Sequence, residues 1–152
     1  MADLPDDLRV RLDNLFRSDP AAAQLGVELD SWSPGRAVIS AVLTDSHTNF
    51  MGVGHGGVLL TLGDIAMSYA SNGYGRVAVA IQIDVAYHRA VASGDEVVAT
   101  ATEISRTRRF ANHRLELHVG DLLVCSATGI TYRTDEWHFG SDAWTETWRV
   151  EH

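Results

Sequence analysis

The sequence contains one cysteine, no lysine and only three prolines in 152 residues. The single thiol, Cys125, excludes an internal disulfide, and it fits the reducing cytoplasm as a buried, inert side chain in an apolar strand. No apolar run reaches the roughly 18 residues that a membrane-spanning helix needs, and the acidic N-terminal residues lack the apolar segment of a signal peptide. These absences predict a cytoplasmic globular protein of one domain, without a membrane segment.

Charge is negative overall and uneven along the chain. The net charge is −8, and all twelve basic residues are arginines. Proteins that bind nucleic acids normally carry a basic patch or stripe, so the charge argues against this class. Residues 76–114 nevertheless hold six arginines against four acidic residues. We therefore expect any anionic ligand to contact this middle part of the chain.

Apolar spacing and turn residues predict a helix at 6–17 and a second, central helix at 57–72. The predicted strands lie at 27–32, 36–43, 77–88, 96–105, 110–119 and 122–132. Because the strands follow one another without helical crossovers, the pattern indicates an α+β fold with a largely antiparallel sheet. We divide the chain into an N-terminal helix (1–20), a body (21–133) and an acidic, tryptophan-containing C-terminal extension (134–152).

The central helix carries a single charged side chain, Asp64. A helix with one face in water normally carries several charges on that face. Their absence predicts that this helix is covered by the sheet and also by a second protomer. Gly63, Ala66 and Ala70 form a small-residue stripe that lets another backbone approach.

The start of this helix has the composition of an acyl-transfer site. Gly56 and Gly57 leave the free N–H groups of the first turn unobstructed, where they can stabilise an oxyanion. Asp64 can act as a nucleophile or as a general base for water. Eight residues separate Gly56 from Asp64, which is about 12 Å along a helix. Both can therefore reach one carbonyl only if they come from different chains, across the two-fold axis of a homodimer.

Asn49, the run His55-Gly56-Gly57 and Asp64 together resemble the hotdog-fold acyl-CoA thioesterases. The resemblance is to the branch of phenylacetate-degradation and 4-hydroxybenzoyl-CoA thioesterases. The segment "IDVAYHRAVASGDEVVATATEI" also resembles the strand that follows the helix in this family, with the family's arginine at Arg89. The similarity covers about residues 25–132.

This resemblance implies a hotdog fold, a long central helix wrapped by an antiparallel β-sheet, over the body at 21–133. It also implies hydrolysis of aryl- or medium- to long-chain acyl-CoA thioesters to the free acid and coenzyme A, without a metal or redox cofactor. Members of the family form homodimers and often homotetramers. The expected partners are thus the acyl-CoA substrate and further copies of the chain.

The resemblance also assigns roles to individual residues. Asp64 would be the nucleophile or general base, and the Gly56 amide would polarise the thioester carbonyl. Asn49 would contact the thioester region or orient water, His55 would support the loop, and Ser68 would help to place the water. The expected contacts to the coenzyme A phosphates are Arg89, Arg106, Arg108 and Arg109.

Three alternatives remain open from the sequence. The first is a hotdog hydratase or dehydratase of acyl thioesters, although His55 precedes Asp64 instead of following it. The second is a non-catalytic acyl-CoA-binding hotdog protein. The third, a metal site, lacks the expected spacing of histidine and cysteine ligands.

Overall fold

A computed structural model describes residues 3–152 of the chain. Its α-helices are α1 (Asp6–Arg17), α2 (Pro20–Gln24), α3 (Gly56–Asn72) and α4 (Glu146–Glu151). Its strands are β1 (Glu28–Ser33), β2 (Arg36–Val42), β3 (Arg76–Tyr87), β4 (Glu96–Arg106), β5 (Phe110–Val119) and β6 (Leu122–Trp137). Short 3₁₀ helices lie at Asp45–His47 and Ser141–Ala143.

The six strands form one antiparallel sheet in the order β1-β2-β4-β5-β6-β3. The chain leaves β2 near one edge, passes through α3 and returns as β3 at the opposite edge. The strands alternate between buried and exposed side chains, and the buried ones face α3. This layout is the α+β hotdog fold that the sequence predicts.

The helix α3 packs closely on the sheet through small side chains. Ala66 and Ala70 are fully buried. A methyl group added at Gly63 would lie 3.5 Å from the side chains of Leu115 and Leu117 on β5. The small-residue stripe therefore packs against the chain's own sheet. The expectation that a second protomer packs against this stripe is wrong. The opposite face of α3, with Thr61, Asp64 and Ser68, is only half-buried.

The N-terminal helix α1 belongs to the same core. Its apolar face buries Leu8, Leu12 and Phe16. The ring of Phe16 stacks on Tyr69 of α3 at a centroid distance of 4.9 Å. Two acidic residues in the first turn and Arg17 in the last turn complement the helix dipole.

The C-terminal residues pack against the body of the same chain. The last strand is longer than the sequence predicts, because it continues to Trp137 instead of ending at 132. Beyond it, Trp144 and Trp148 are 2% exposed and join the hydrophobic core. The indole N–H of Trp148 donates to the carbonyl oxygen of Tyr74 at 2.8 Å. This contact attaches α4 to the segment that follows α3.

Gly75 is the point of closest approach between this C-terminal segment and the body. Its φ is +83°, and a methyl group there would lie 2.0 Å from the ring of Trp144. Both the backbone conformation and the space therefore require glycine. Cys125 is buried, as predicted. No described helix is long and apolar enough to cross a membrane.

We predict that Gly75→Ala destabilises the protein more than Gly140→Ala, although both glycines have a φ of 83°. An added methyl group at Gly140, with φ 83° and ψ 150°, would have no heavy atom within 4 Å, so its substitution carries only the backbone cost of about 1–3 kcal/mol. The collision with Trp144 should add about 1–3 kcal/mol at Gly75. Urea denaturation measures both free energies of unfolding, and equal values would contradict this packing of Trp144.

Candidate active site

The loop before α3 is held in shape by Asn49. Its side-chain oxygen accepts hydrogen bonds from the backbone N–H groups of Met51 at 2.9 Å and Val53 at 3.4 Å. These two bonds identify the oxygen of the amide, because only an acceptor fits there. Its NH₂ group has no hydrogen-bond partner within residues 3–152. Asn49 therefore closes the loop with one end and leaves a donor free at the other.

His55 caps the N-terminus of α3 with its ring. The Nδ1 atom accepts a hydrogen bond from the backbone N–H of Gly57 at 2.9 Å. A ring nitrogen that accepts is unprotonated, so in the neutral imidazole the proton lies on Nε2. This cap satisfies the N–H of Gly57. The ring of His55 does not bind the first N–H of the helix, that of Gly56, which remains available to another acceptor.

Gly56 is fixed by a side chain that the sequence reasoning missed. The hydroxyl of Tyr87, at the end of β3, donates to the carbonyl oxygen of Gly56 at 2.8 Å. A methyl group at Gly56 would lie 2.9 Å from Cζ of the same ring. The Gly56 N–H makes no hydrogen bond to any described residue. Tyr87 lies thirty-one positions after Gly56, so no local sequence pattern predicts the contact.

Asp64 lies two turns further along α3, on its half-buried face. Its carboxylate has no hydrogen bond or ion pair among the described residues. Burial raises the pKa of Asp64 above its usual value. Ser68 follows one turn later on the same face. An unpaired carboxylate in such a place is available to attack a substrate or to accept a proton from water.

Gly56 and Asp64 lie on the same helix, so the distance between them is fixed by the helix geometry. Eight residues correspond to about 12 Å along the axis. Within a single chain, the free amide and the carboxylate do not meet at one reacting atom. The geometry agrees with the sequence expectation on this point, while the pairing of two chains stays a prediction.

The four arginines expected to contact the coenzyme A phosphates lie in two places, near the two ends of α3. Arg89 follows β3 two residues after Tyr87, at the Gly56 end. Arg106, Arg108 and Arg109 lie at the other end, beyond the C-terminus of α3. Arg106 pairs with Glu103 at 3.3 Å, and Arg109 pairs with Asp135 at 2.8 Å. The side chain of Arg89 has no hydrogen bond or ion pair within residues 3–152.

No group of three or more histidine, cysteine, aspartate or glutamate side chains in the described part of the chain is placed to hold a metal ion. The structure instead presents one long helix on an antiparallel sheet, with a free amide at the helix start and an unpaired carboxylate two turns on. This combination is the one that the sequence predicts for a hotdog-fold thioester hydrolase.

Comparison with known proteins places the chain within that class. Residues 51–126 match the model of the Thioesterase superfamily, and the chain belongs to this family. A putative esterase from Archaeoglobus fulgidus is 30% identical over 125 residues, which are 82% of this chain and 81% of the relative. The acyl-coenzyme A thioesterase PaaI of Escherichia coli is 34% identical over 87 residues, 57% of this chain and 62% of that protein.

Solved structures show the same fold. The PaaI protein of the Escherichia coli phenylacetic acid degradation operon has a TM-score of 0.83 against this chain, with 26% identity. The alignment covers 90% of this chain and 99% of that structure. The TT0310 protein of Thermus thermophilus has a TM-score of 0.74 and 36% identity, covering 76% and 98% of the two chains. The resemblance on which the sequence expectations rest is thus confirmed at the level of family and fold.

We predict that Gly56→Ala destabilises the wild-type protein but not a Tyr87→Ala background. Alanine is normally the better helix residue, so the cost in the wild type would come from the collision with the Tyr87 ring. A double-mutant cycle on free energies of unfolding should give an interaction energy of about 1–3 kcal/mol. Equal effects in the two backgrounds would contradict the contact.

Proposed function

We propose that this thioester hydrolase acts on acyl-CoA and releases the free acid and coenzyme A. One observation carries the proposal: a free Gly56 amide and an unpaired, half-buried Asp64 carboxylate share the helix α3. The first supplies a donor for a developing oxyanion, and the second supplies a base or nucleophile. The name of the related Escherichia coli protein, acyl-coenzyme A thioesterase PaaI, supports coenzyme A as the leaving group.

Two routes give the same products. As a general base, Asp64 takes a proton from water while the water oxygen adds to the thioester carbonyl. As a nucleophile, its oxygen adds to the carbonyl, and water then cleaves the resulting anhydride. In both routes the Gly56 N–H stabilises the oxyanion, the C–S bond breaks, and the thiolate of coenzyme A takes up a proton. Neither route needs a metal or a redox cofactor.

The remaining residues have supporting roles in this proposal. The free NH₂ group of Asn49 would donate to the thioester or to water, and the Nε2–H of His55 would do so from the helix cap. The Ser68 hydroxyl would place the water one turn from Asp64. Arg89 would contact the coenzyme A phosphates at the Gly56 end. Arg106, Arg108 and Arg109 would contact these phosphates only if coenzyme A extends to the end of the fold where α3 ends.

We further propose a cytoplasmic homodimer in which Gly56 of one chain and Asp64 of the other serve the same carbonyl. Three exposed features support the pairing. The face of α3 that carries Asp64 is only half-covered. The edge strand β3 exposes Val79 and Ile81, and the loop before α3 exposes Phe50, 97% accessible. Apolar side chains exposed beside an unpaired strand edge are typical of an interface. Two such dimers could associate further into a tetramer.

We predict that Asp64→Asn lowers kcat for acyl-CoA hydrolysis at least about 100-fold, because the amide can neither accept the proton nor attack. Thiol release from a panel of aryl- and fatty-acyl-CoAs measures the rate. Asp121→Asn is the matched control, since it makes the same chemical change at an exposed turn between β5 and β6.

The wild type must release thiol from at least one substrate of the panel, or the acyl-CoA proposal fails. Full activity of Asp64→Asn would leave the enzyme class intact but remove Asp64 from the mechanism.

We predict that two inactive variants restore activity when they are co-expressed. Gly56→Pro removes the proposed amide donor at a helix position that tolerates proline, after a His55 with extended φ and ψ of −65° and 130°. The same chain carries Tyr87→Ala to make room for the ring. When this chain is co-expressed with an Asp64→Asn chain, about half of the randomly formed dimers are hybrids. Each hybrid has one intact site out of two, so about a quarter of the wild-type number of sites is restored.

Tyr87→Ala alone is the control and has to retain measurable activity. Recovery near the expected quarter supports the composite site. An inactive mixture, with hybrid dimers demonstrated by tagged chains, would show that Gly56 and Asp64 do not act across two chains.

A further inference from the structure

A cavity of about 440 Å³ lies at the end of the fold where α3 ends. Its walls come from the turn between β4 and β5, the start of β3, the end of β6 and the helix α4. Five arginines line it, and we call it the arginine cavity: Arg76, Arg106, Arg108, Arg133 and Arg149. This is a strong local concentration of positive charge in a protein whose net charge is −8.

Within residues 3–152, two of these arginines pair with a side-chain carboxylate. Arg76 pairs with Asp135 at 2.9 Å, and Arg106 pairs with Glu103 at 3.3 Å. Within residues 3–152, neither Arg108 nor Arg149 makes a hydrogen bond or an ion pair through its side chain. One further carboxylate, that of Glu151, lines the cavity. The cavity thus holds more guanidinium groups than the acidic residues around it neutralise.

Arg133 is the buried anchor of the cavity, with 4% of its surface exposed. Among the described residues, its guanidinium donates to the backbone carbonyl oxygens of Thr107 and Arg108 and to a main-chain oxygen of His152, the last residue. Burial, and then the positive charges of Arg106 and Arg76, lower the pKa of Arg133 to about 10. Glu103 and the terminal oxygen of His152 offset part of the cost of burying this cation beside Arg106 and Arg76, and a bound anion would relieve more of it.

The arginine cavity is separate from the Gly56 amide within one chain. It lies beside Tyr74, whose ring is 4.0 Å from the Arg106 guanidinium. Gly56 and Asn72, the ends of α3, are sixteen residues apart, or about 24 Å along the helix. The part of the cavity contributed by α4 also lies outside the residues that match the family model, 51–126.

We propose that the arginine cavity is a binding site for a phosphorylated anion. Guanidinium groups bind phosphate oxygens in bidentate fashion, and Arg108 and Arg149 offer two uncommitted forks beside a rigidly held Arg133. Several cations around a space of this size suit a ligand with two or more phosphate groups. Such groups have two sources: the nucleotide end of coenzyme A, which rests on the proposed function, or a separate phosphorylated metabolite.

The direct test titrates the full chain with inorganic pyrophosphate in a calorimeter. The cavity variant is Arg108→Gln with Arg149→Gln, since both side chains are exposed and removing them breaks no ion pair. The matched control is Arg36→Gln with Arg114→Gln, which removes the same charge from two exposed, unpaired arginines that do not line the cavity. We expect the wild type and the control to bind equally, and the cavity variant to bind at least about tenfold more weakly.

A second measurement distinguishes the two sources. If the ligand is coenzyme A, the cavity variant raises KM for acyl-CoA with little change in kcat, and leaves hydrolysis of the matching acyl-pantetheine, which lacks the nucleotide, unaltered. If the ligand is a separate metabolite, pyrophosphate binding weakens while both KM values stay the same.

Pyrophosphate that binds all three proteins equally, or none of them, would overturn the site. The titration needs no thioesterase activity, so its result is independent of whether the proposed reaction is correct.

Discussion

The close packing of α3 on the sheet is the constraint on which the other features depend. Ala66 and Ala70 are fully buried, and Gly63 lies against Leu115 and Leu117 of β5. Because the helix cannot rotate about its axis without losing this contact, the opposite stripe must point away from the sheet. That stripe carries Asp64 and Ser68. The packing of small apolar residues thus determines where the only charge of the helix is presented.

The start of α3 is held by two side chains, those of His55 and Tyr87. His55 satisfies one amide of the first turn, and Tyr87 holds the carbonyl of the first residue. Of the N–H groups in the first turn, that of Gly56 alone has no acceptor within residues 3–152, and the backbone around it is held by His55 and Tyr87. Donors arranged in advance of the reaction stabilise an oxyanion without a cost of reorganisation. Glycine avoids a collision there, because the ring of Tyr87 lies 2.9 Å from where a methyl group would be.

Much of the fold followed from local patterns. The helix α1, the central helix and all six strands were predictable from periodicity, capping residues and turn glycines. Asp64 and Gly56 were recognisable because a lone carboxylate and a glycine pair are unusual in a buried helix. The helices α2 and α4 were not predicted, since both are short and their apolar residues are too few for a period. The end of β6 was also placed too early, because its last residues are polar.

The sequence by itself determined the elements, the family and the spacing of Gly56 and Asp64, since these depend on neighbours within a few residues or on a helix of fixed rise. Only the tertiary structure decided which face of α3 meets the sheet, that Tyr87 contacts Gly56, and that α4 completes a cavity with arginines from three strands. The indole of Trp148 and the carbonyl of Tyr74, for instance, are 74 positions apart. Such contacts depend on strand order and register, which no local pattern in the chain encodes.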